Sequence, residues 1–543
     1  MSNGIFKLPE FKNEPVLEYR TGSKERQNVK EALALLRKEI ADIPMYIGGN
    51  EVRTNKKVKI LPPFDIKSSL GYYYRGTWNE VQGAINAALE AKAGWESMSW
   101  ESRAAIFLRA AELIAGKYRA LMNATTMLCQ AKTVFQAEID CVCEFVDFLR
   151  FNVKYMQEIY SIQPESNAGM WNRLEYRALE GFVFAITPFN FTSIAGNLPC
   201  APALMGNTIV WKPANSQIYS AALIMKILIE SGLPAGVINL VYCDGKEAGD
   251  VVFAHSDFAG LHFTGSTGLF QQLWKTIGNN ISNYKSYPRI VGETGGKDFV
   301  VAHKTADAET VAVGLARGAF EYQGQKCSAA SRAYISESIY NEVIKKLIAD
   351  VKTMKMGSPE DFRNFVSAVI DEKAFDKIVS YIELAKKSKD CKILVGGKYD
   401  KSKGYFIEPT VIETTNPNHR CICEEIFGPV LTIYKFADKD WHKTLEIINK
   451  SSNYALTGAV FANDRNAIIE ANNALKNAAG NFYINDKPTG AVVNQQPFGG
   501  ARGSGTNDKA GSLLNLLRWV NARTIKETFV PPTNYTYPFM ESE

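Results

Sequence analysis

The sequence predicts an α/β protein built on a doubly wound parallel sheet, with a second α/β domain after it. Two observations carry this. From Gly181 to Val291, apolar runs of strand length alternate with longer segments of helical periodicity. After Gly292 the alternation restarts. Parallel strands need crossovers, and right-handed helical crossovers cover both faces of the sheet.

Ahead of the alternation, Val81 to Glu90 and Ser102 to Lys117 carry apolar positions at helical spacing with charges between them. Ala137 to Tyr155 predicts one longer helix. Its Phe145, Phe148, Leu149 and Val153 share a face, and Glu144 stands on this largely apolar surface. Phe182 to Thr187 predicts a buried strand, Ser193 to Met205 a helix and Thr208 to Trp211 a strand. Ser216 to Ser231 is a helix stopped by Gly232 and Pro234, and Val237 to Tyr242 a strand. Leu261 to Phe263 is a strand leading through Gly265 to Gly268 into a helix, and Arg289 to Val291 a further strand. The second domain begins near Glu293, with strands at Phe299 to Val301 and Ala333 to Ile335. Its helices are Ala308 to Tyr322 and Tyr340 to Thr353. The tail from Thr524 to Glu543, with Pro531, Pro532 and Pro538, predicts an extended arm. The boundaries drawn are 1–292, 293–505 and 506–543, with 161–177 a candidate oligomerisation hairpin.

Composition narrows the function classes. The 543 residues, 46% hydrophobic, suffice for several domains of ~100–200 residues each. A charged fraction of 22% excludes wholesale disorder. The net charge of +5 is small for this length, so neither nucleic acid nor an anionic membrane is called for as a partner. No apolar run nears the ~18 residues of a membrane span, so no membrane insertion is expected. Met1 to Arg20 lacks an apolar signal core, and its acids Glu10, Glu14 and Glu18 speak against a transit peptide. Nine cysteines, an odd number, read as free thiols. The Cys141/Cys143 and Cys421/Cys423 pairs have no histidine at zinc-site spacing, so no metal site is expected.

Two glycine-rich stretches mislead. Gly292 to Lys297 has the wrong spacing for a phosphate-binding loop, and Asp298 stands where a Ser or Thr would hold magnesium. Gly499 to Gly505 lacks a preceding strand and reads as a loop closely approached by other backbone. Three residues invite chemistry. Cys327, among small and polar neighbours, is a candidate accessible nucleophile or a small buried hydrophobe. Glu293, beside Thr294 and two glycines, is a candidate base or a surface charge. Asn190 follows a buried strand, where an amide can hold an oxyanion.

Together these three residues resemble the aldehyde dehydrogenase superfamily. The likeness continues in Thr208 to Pro213, Phe263 to Ser266, Glu424 to Val430 and Pro497 to Gly500, in the family's order over almost the whole chain. Four stretches narrow it to the members acting on glutamate 5-semialdehyde: Gln136 to Asp140, Pro188 to Thr192, Gly324 to Ala329 and Gln495 to Lys509.

The resemblance implies NAD-dependent oxidation of that semialdehyde to glutamate. Cys327 would be the nucleophile, Asn190 the oxyanion donor and Glu293 the base that hydrolyses the thioester. For NAD it implies Thr187, Lys212, the backbone from Gly265 through Ser266, Thr267 and Gly268 to Leu269, and Glu425 with Phe427. Asn215, where many NAD-preferring relatives carry Glu, leaves discrimination against NADP open. For the substrate it implies Ser328 with Gly490 and Ala491 at the α-carboxylate, Glu144 at the α-amino group, and Phe191 and Phe498 around the stem. It further implies a homodimer, with higher assemblies open, and a mitochondrial matrix location in a eukaryote or a cytoplasmic one in a bacterium. The alternatives are another semialdehyde, such as succinate semialdehyde, and a non-catalytic protein of the same fold.

Overall fold

The computed structural model describes Gly4 and residues 6–543. Of the N-terminal segment read above, Met1, Ser2, Asn3 and Ile5 lie outside the described residues. Two seven-stranded sheets organise the chain. Across the first, the strands run Arg289–Glu293, Phe258–Thr264, Phe182–Thr187, Thr208–Pro213, Ile238–Leu240, Met45–Ile47, Asn50–Val52. The first five are parallel, and the last two form an antiparallel edge. The chain winds outward from the 182–187 strand, then returns to add 258–264 on its other side. A crevice therefore opens beyond the carboxyl ends of those two strands, where the winding reverses.

The predicted strands and helices are present, with differences that have local causes. The antiparallel edge was not predicted, because its strands are three residues long. Its turn signal was Gly48-Gly49, both at positive φ. The 238–240 strand is shorter than the predicted Val237 to Tyr242, yet Val237 O and Val241 N still bond the neighbouring strand. The helix predicted from Ala137 to Tyr155 is interrupted by a π-helical turn, Glu138–Cys143, before Glu144–Ser161. That wider turn accommodates two buried acids: Glu138 meets Arg119, and Asp140 meets Lys132.

The second sheet runs Cys391–Val395, Thr410–Thr414, Val430–Phe436, Ala330–Ser336, Asp298–Ala302, Thr457–Phe461, Asn481–Ile484. Only the first pair is antiparallel. Alternation along its Asp298–Ala302 strand separates two cores. Val300 and Ala302 pack with Val311, Leu315 and Val343, whereas Phe299 and Val301 pack with Trp441, Leu445 and Ile448. Glu293 is the last residue of the first sheet and Asp298 opens the second, so four residues join the two.

The segment 161–177 turns back on itself, with Gln163 bonded to Leu174 and Tyr176 to Ile162 through side chains, but only its second half is a strand. Its strand, Met170–Ala178, pairs antiparallel with Val520–Thr528 over nine positions, forming a ribbon. Phe529, Val530, Tyr535 and Phe539 beyond the ribbon are exposed. Among the described residues, no helix is long and apolar enough to cross a membrane.

Candidate active site

Both sheets point chain ends at one place. From the first come carboxyl ends: Asn190 just after the 182–187 strand, Lys212 in 208–213, Gly265 after 258–264, and Glu293. From the second come lead-in segments: Cys327 and Ser328 just before the 330–336 strand, and Glu425 to Phe427 just before 430–436. Long parallel strands thus hold the site, with the reactive residues on the short connections between them.

Gly296 shows how tightly these connections meet. Its N–H donates to Glu425 Oε1 at 2.9 Å. A Cβ at this position would sit 2.2 Å from the Cys327 carbonyl oxygen, which no side chain tolerates. Asn190 Nδ2 donates to Gln325 O at 3.1 Å, fixing the amide two residues from Cys327 and leaving its second N–H for another acceptor. The loop before the cysteine is strained. Tyr322 and Gln323 have φ of 51° and 55°, and Phe427 beside Glu425 has 61°. Such backbone costs about 1–3 kcal/mol per residue and persists only where its surroundings enforce it. Gln323 Nε2 donates to Ala131 O and Ala368 O, and Ile370 N donates to Gln325 Oε1, which holds the loop.

The electrostatics correct one expectation. Cys327 is buried, at 8% exposure, and its thiol lies well above the usual range. Burial is the main cause, followed by the charges of Glu293, Asp298 and Glu425. The adjacent cation does not offset this, because Lys326 points to Asp140 at 3.4 Å and Glu321 at 3.8 Å. In this form Cys327 is therefore a neutral thiol and not an exposed thiolate. Glu293 is no surface charge either. Burial raises it to about 8, and its Oε1 has no hydrogen-bond partner. It lines a cavity together with Glu144, Phe498, Asp508 and Lys509. Glu144 is likewise pushed up to about 8, by burial and then by Asp140, and it accepts a hydrogen bond from Ser193.

The residues expected at the substrate fall in three places. Glu144 and Phe498 share the cavity with Glu293. Ser328 Oγ lies 2.7 Å from Thr489 Oγ1, next to Gly490 and Ala491, so those three are brought together. Phe191 lies beneath the Lys132 ammonium, at 4.3 Å, and 5.9 Å from that of Lys326, the residue before Cys327. Lys132 is fully buried and paired with Asp140 at 2.5 Å. The sequence reading missed Lys132, Lys326 and Lys509 as members of the site. The signal for the last two was their place inside the narrowing motifs. Lys132 follows a helix end and carried none.

A dinucleotide fits the remaining features. Ser266 caps the helix Thr267–Asn279 without a side-chain cap bond, and a Cβ at Gly268 would meet open space. The first-turn N–H groups are thus available to an anion. Thr267 itself is engaged, donating to Thr294 Oγ1 at 3.1 Å, and Leu269 is exposed. Lys212 has only Pro213 O within reach, at 3.5 Å, and burial lowers its pKa. Thr187 accepts from Trp211 Nε1 at 3.0 Å. Phe427 stands edge-on to Phe189, 6.0 Å between ring centres, beside Glu425. Among the described residues there is no group of three His, Cys, Asp or Glu arranged to hold a metal ion.

The profile of the aldehyde dehydrogenase family matches residues 51–525. The chain belongs to the aldehyde dehydrogenase family. Among its relatives in that family is the mitochondrial delta-1-pyrroline-5-carboxylate dehydrogenase of Dictyostelium discoideum. The two are 54% identical over 98% of this chain and 96% of the relative. The mitochondrial enzyme of the same name from Homo sapiens is 45% identical over 97% and 94%. A crystal structure of the delta-pyrroline-5-carboxylate dehydrogenase of Mycobacterium tuberculosis bound with NAD superposes with a TM-score of 0.97. It is 50% identical, and each chain is covered over 100%. This aldehyde dehydrogenase shares that fold over its full described length.

Proposed function

We propose that this aldehyde dehydrogenase oxidises glutamate 5-semialdehyde, the open form of Δ1-pyrroline-5-carboxylate, to glutamate with NAD. This is the second step of proline breakdown. The observation that carries the reading is one cavity in which a buried base, Glu293, faces an acid, Glu144, and an aromatic wall, Phe498. An aldehyde whose far end is an α-amino acid needs a carboxylate near the amino group and a base near the aldehyde carbon. The names of the relatives support the substrate, and the NAD-bound structure supports the cofactor.

The Cys327 sulfur attacks the aldehyde carbon after losing its proton. The Asn190 amide and the Cys327 backbone N–H stabilise the oxyanion, each such donor worth ~3 kcal/mol. Bound NAD supplies the hydride acceptor. Lys212 and Glu425 would hold its riboses, the 265–269 backbone its pyrophosphate, and Phe427 packs beside it. Glu293 takes a proton from water as the water opens the thioester. Ser328, Gly490 and Ala491 orient the α-carboxylate, Glu144 the amino group, and Phe191 and Phe498 the stem. On this reading residues 1–292 bind NAD, 293–505 carry the chemistry, and 506–543 contribute to assembly. The ribbon and the exposed apolar tail support a homodimer, and the mitochondrial relatives support a matrix location in a eukaryotic cell.

The test is NADH formation from pyrroline-5-carboxylate and from succinate semialdehyde, with wild type and Cys327→Ala. Turnover of the first alone, lost in the variant, is expected. Turnover of succinate semialdehyde alone would overturn the substrate.

A further inference from the structure

The run Gly505 to Lys509 is distinctive in the sequence, and the mechanism above leaves it without a task. The structure shows it to be built with care. Gly505, at φ 139°, pairs with Glu293 backbone to backbone, so closely that a Cβ would meet Gly292 O at 2.3 Å. Thr506 N donates to Gly292 O at 2.9 Å, and Gly292 N donates to Thr506 Oγ1 at 2.9 Å. The run is therefore clamped to the strand end that carries Glu293. Asp508 accepts from Thr506 and faces Arg518 at 3.3 Å, which absorbs its charge. Ala510 then exchanges two hydrogen bonds with Phe498.

Lys509 lies between these anchors. Its ammonium donates to Gly480 O at 2.8 Å, Gly499 O at 3.0 Å and Asn481 Oδ1 at 3.3 Å. All three partners are neutral, so its donors are satisfied while its charge is not. It lines the same cavity as Glu293, whose Oε1 is buried without a partner. The other titratable groups around Glu293 are Glu144 from the 144–161 helix, Asp508 from the clamped run, Cys327 from its loop and His262 from the 258–264 strand. His262 is buried and held near 4, hence neutral. Lys509 is thus the cation that faces Glu293 across a space shared with two acids.

We propose that Lys509 is a positioning residue for thioester hydrolysis: a caged, fixed cation that favours the ionised form of Glu293, the base. The inference rests on the function proposed above. In the step concerned, the water oxygen bonds to the acyl carbon and Glu293 takes the water proton. The C–S bond breaks with its electron pair leaving on the Cys327 sulfur, and glutamate is released. The coupling agrees in sign, since Lys509 lowers Glu293 while Glu144 and Asp508 raise it.

The experiment follows the NADH burst and the later steady state by stopped flow from pH 6 to 10, with pyrroline-5-carboxylate and NAD. The acyl-enzyme is trapped by acid quench and weighed. Lys509→Met should keep the burst and move the acid limb of the steady state to higher pH. The rate at pH 7 then falls roughly tenfold per unit moved, and acyl-enzyme accumulates. Lys509→Arg should restore the limb. Should Lys509→Met not fold, Asn481→Asp, which sets a carboxylate against the ammonium, moves the limb the same way. A limb that stays at its wild-type position, even with lowered thermal stability, makes Lys509 a loop clamp only and overturns the proposal. A wild type without any NADH burst refutes the proposed function instead.

Discussion

Replacing Gly296 with Ala tests how closely the catalytic segments must approach. The added Cβ would stand 2.2 Å from the Cys327 carbonyl oxygen and 2.5 Å from Asp298 Oδ2. Ordinary contact begins at 3.4 Å, so Cys327 must retreat by about 1.2 Å. Asp298 is itself held, accepting from Thr457 N at 2.7 Å, and leaves no easy relief on the other side. Overpacking of this kind costs ~1–3 kcal/mol in stability. A displacement near 1 Å between the cysteine and Asn190 costs about a hundredfold in turnover. Steady-state kinetics and a thermal melt should therefore show kcat falling about a hundredfold with a modest drop in Tm. Gly295→Ala is the control. Its Cβ would meet only the end of the Glu425 side chain, at 2.5 Å, which can swing away. That variant should raise the KM for NAD far more than it lowers kcat. A Gly296→Ala enzyme with kcat within about twofold of wild type and an unchanged Tm would refute the reasoning.

Three further outcomes are expected. Glu144 is about 8 in the folded chain against an ordinary 4.5, so the fold holds its proton more tightly than the unfolded chain does. The stability this confers is present below about 4.5 and lost as pH rises through about 8. Glu144→Gln should therefore melt higher than wild type at pH 8 and equally at pH 4 by scanning fluorimetry, while losing turnover of the semialdehyde. Lys132→Met strips a fully buried cation from Asp140 and should cost ~3 kcal/mol in urea unfolding. The double variant with Asp140→Asn should recover part of that loss. Removing residues 529–543 takes away Phe529, Val530, Tyr535 and Phe539, and for the homodimer proposed above sedimentation should show weaker association; an unaltered association constant would refute the tail's part in it.

Local signals were enough for the parallel strands and crossover helices of the first sheet and for the first two strands of the second, because apolar runs bounded by glycine and proline act over a few residues; the five remaining strands of the second sheet, between 391 and 484, were not read from the sequence. The motif order placed Cys327, Glu293 and Asn190 at chain turns, and the structure brings them to one end of both sheets. Resemblance to the family carried the substrate and the cofactor. What sequence neighbours do not encode is the surroundings. The flanking small residues of Cys327 suggested an accessible thiol, yet the thiol is buried and faces three acids from distant segments. The ribbon joins residues 170–178 to 520–528, a pairing no local turn announces. The π turn at Glu138–Cys143 follows from buried ion pairs to Arg119 and Lys132, not from apolar periodicity. Lys509 meets Glu293 only because Thr506 and Gly505 clamp the C-terminal run to the end of a strand. Secondary structure is largely a short-range property, and much of it was legible in the chain. Protonation state and the pairing of charges depend on what packs against each group, and the tertiary structure alone decided them.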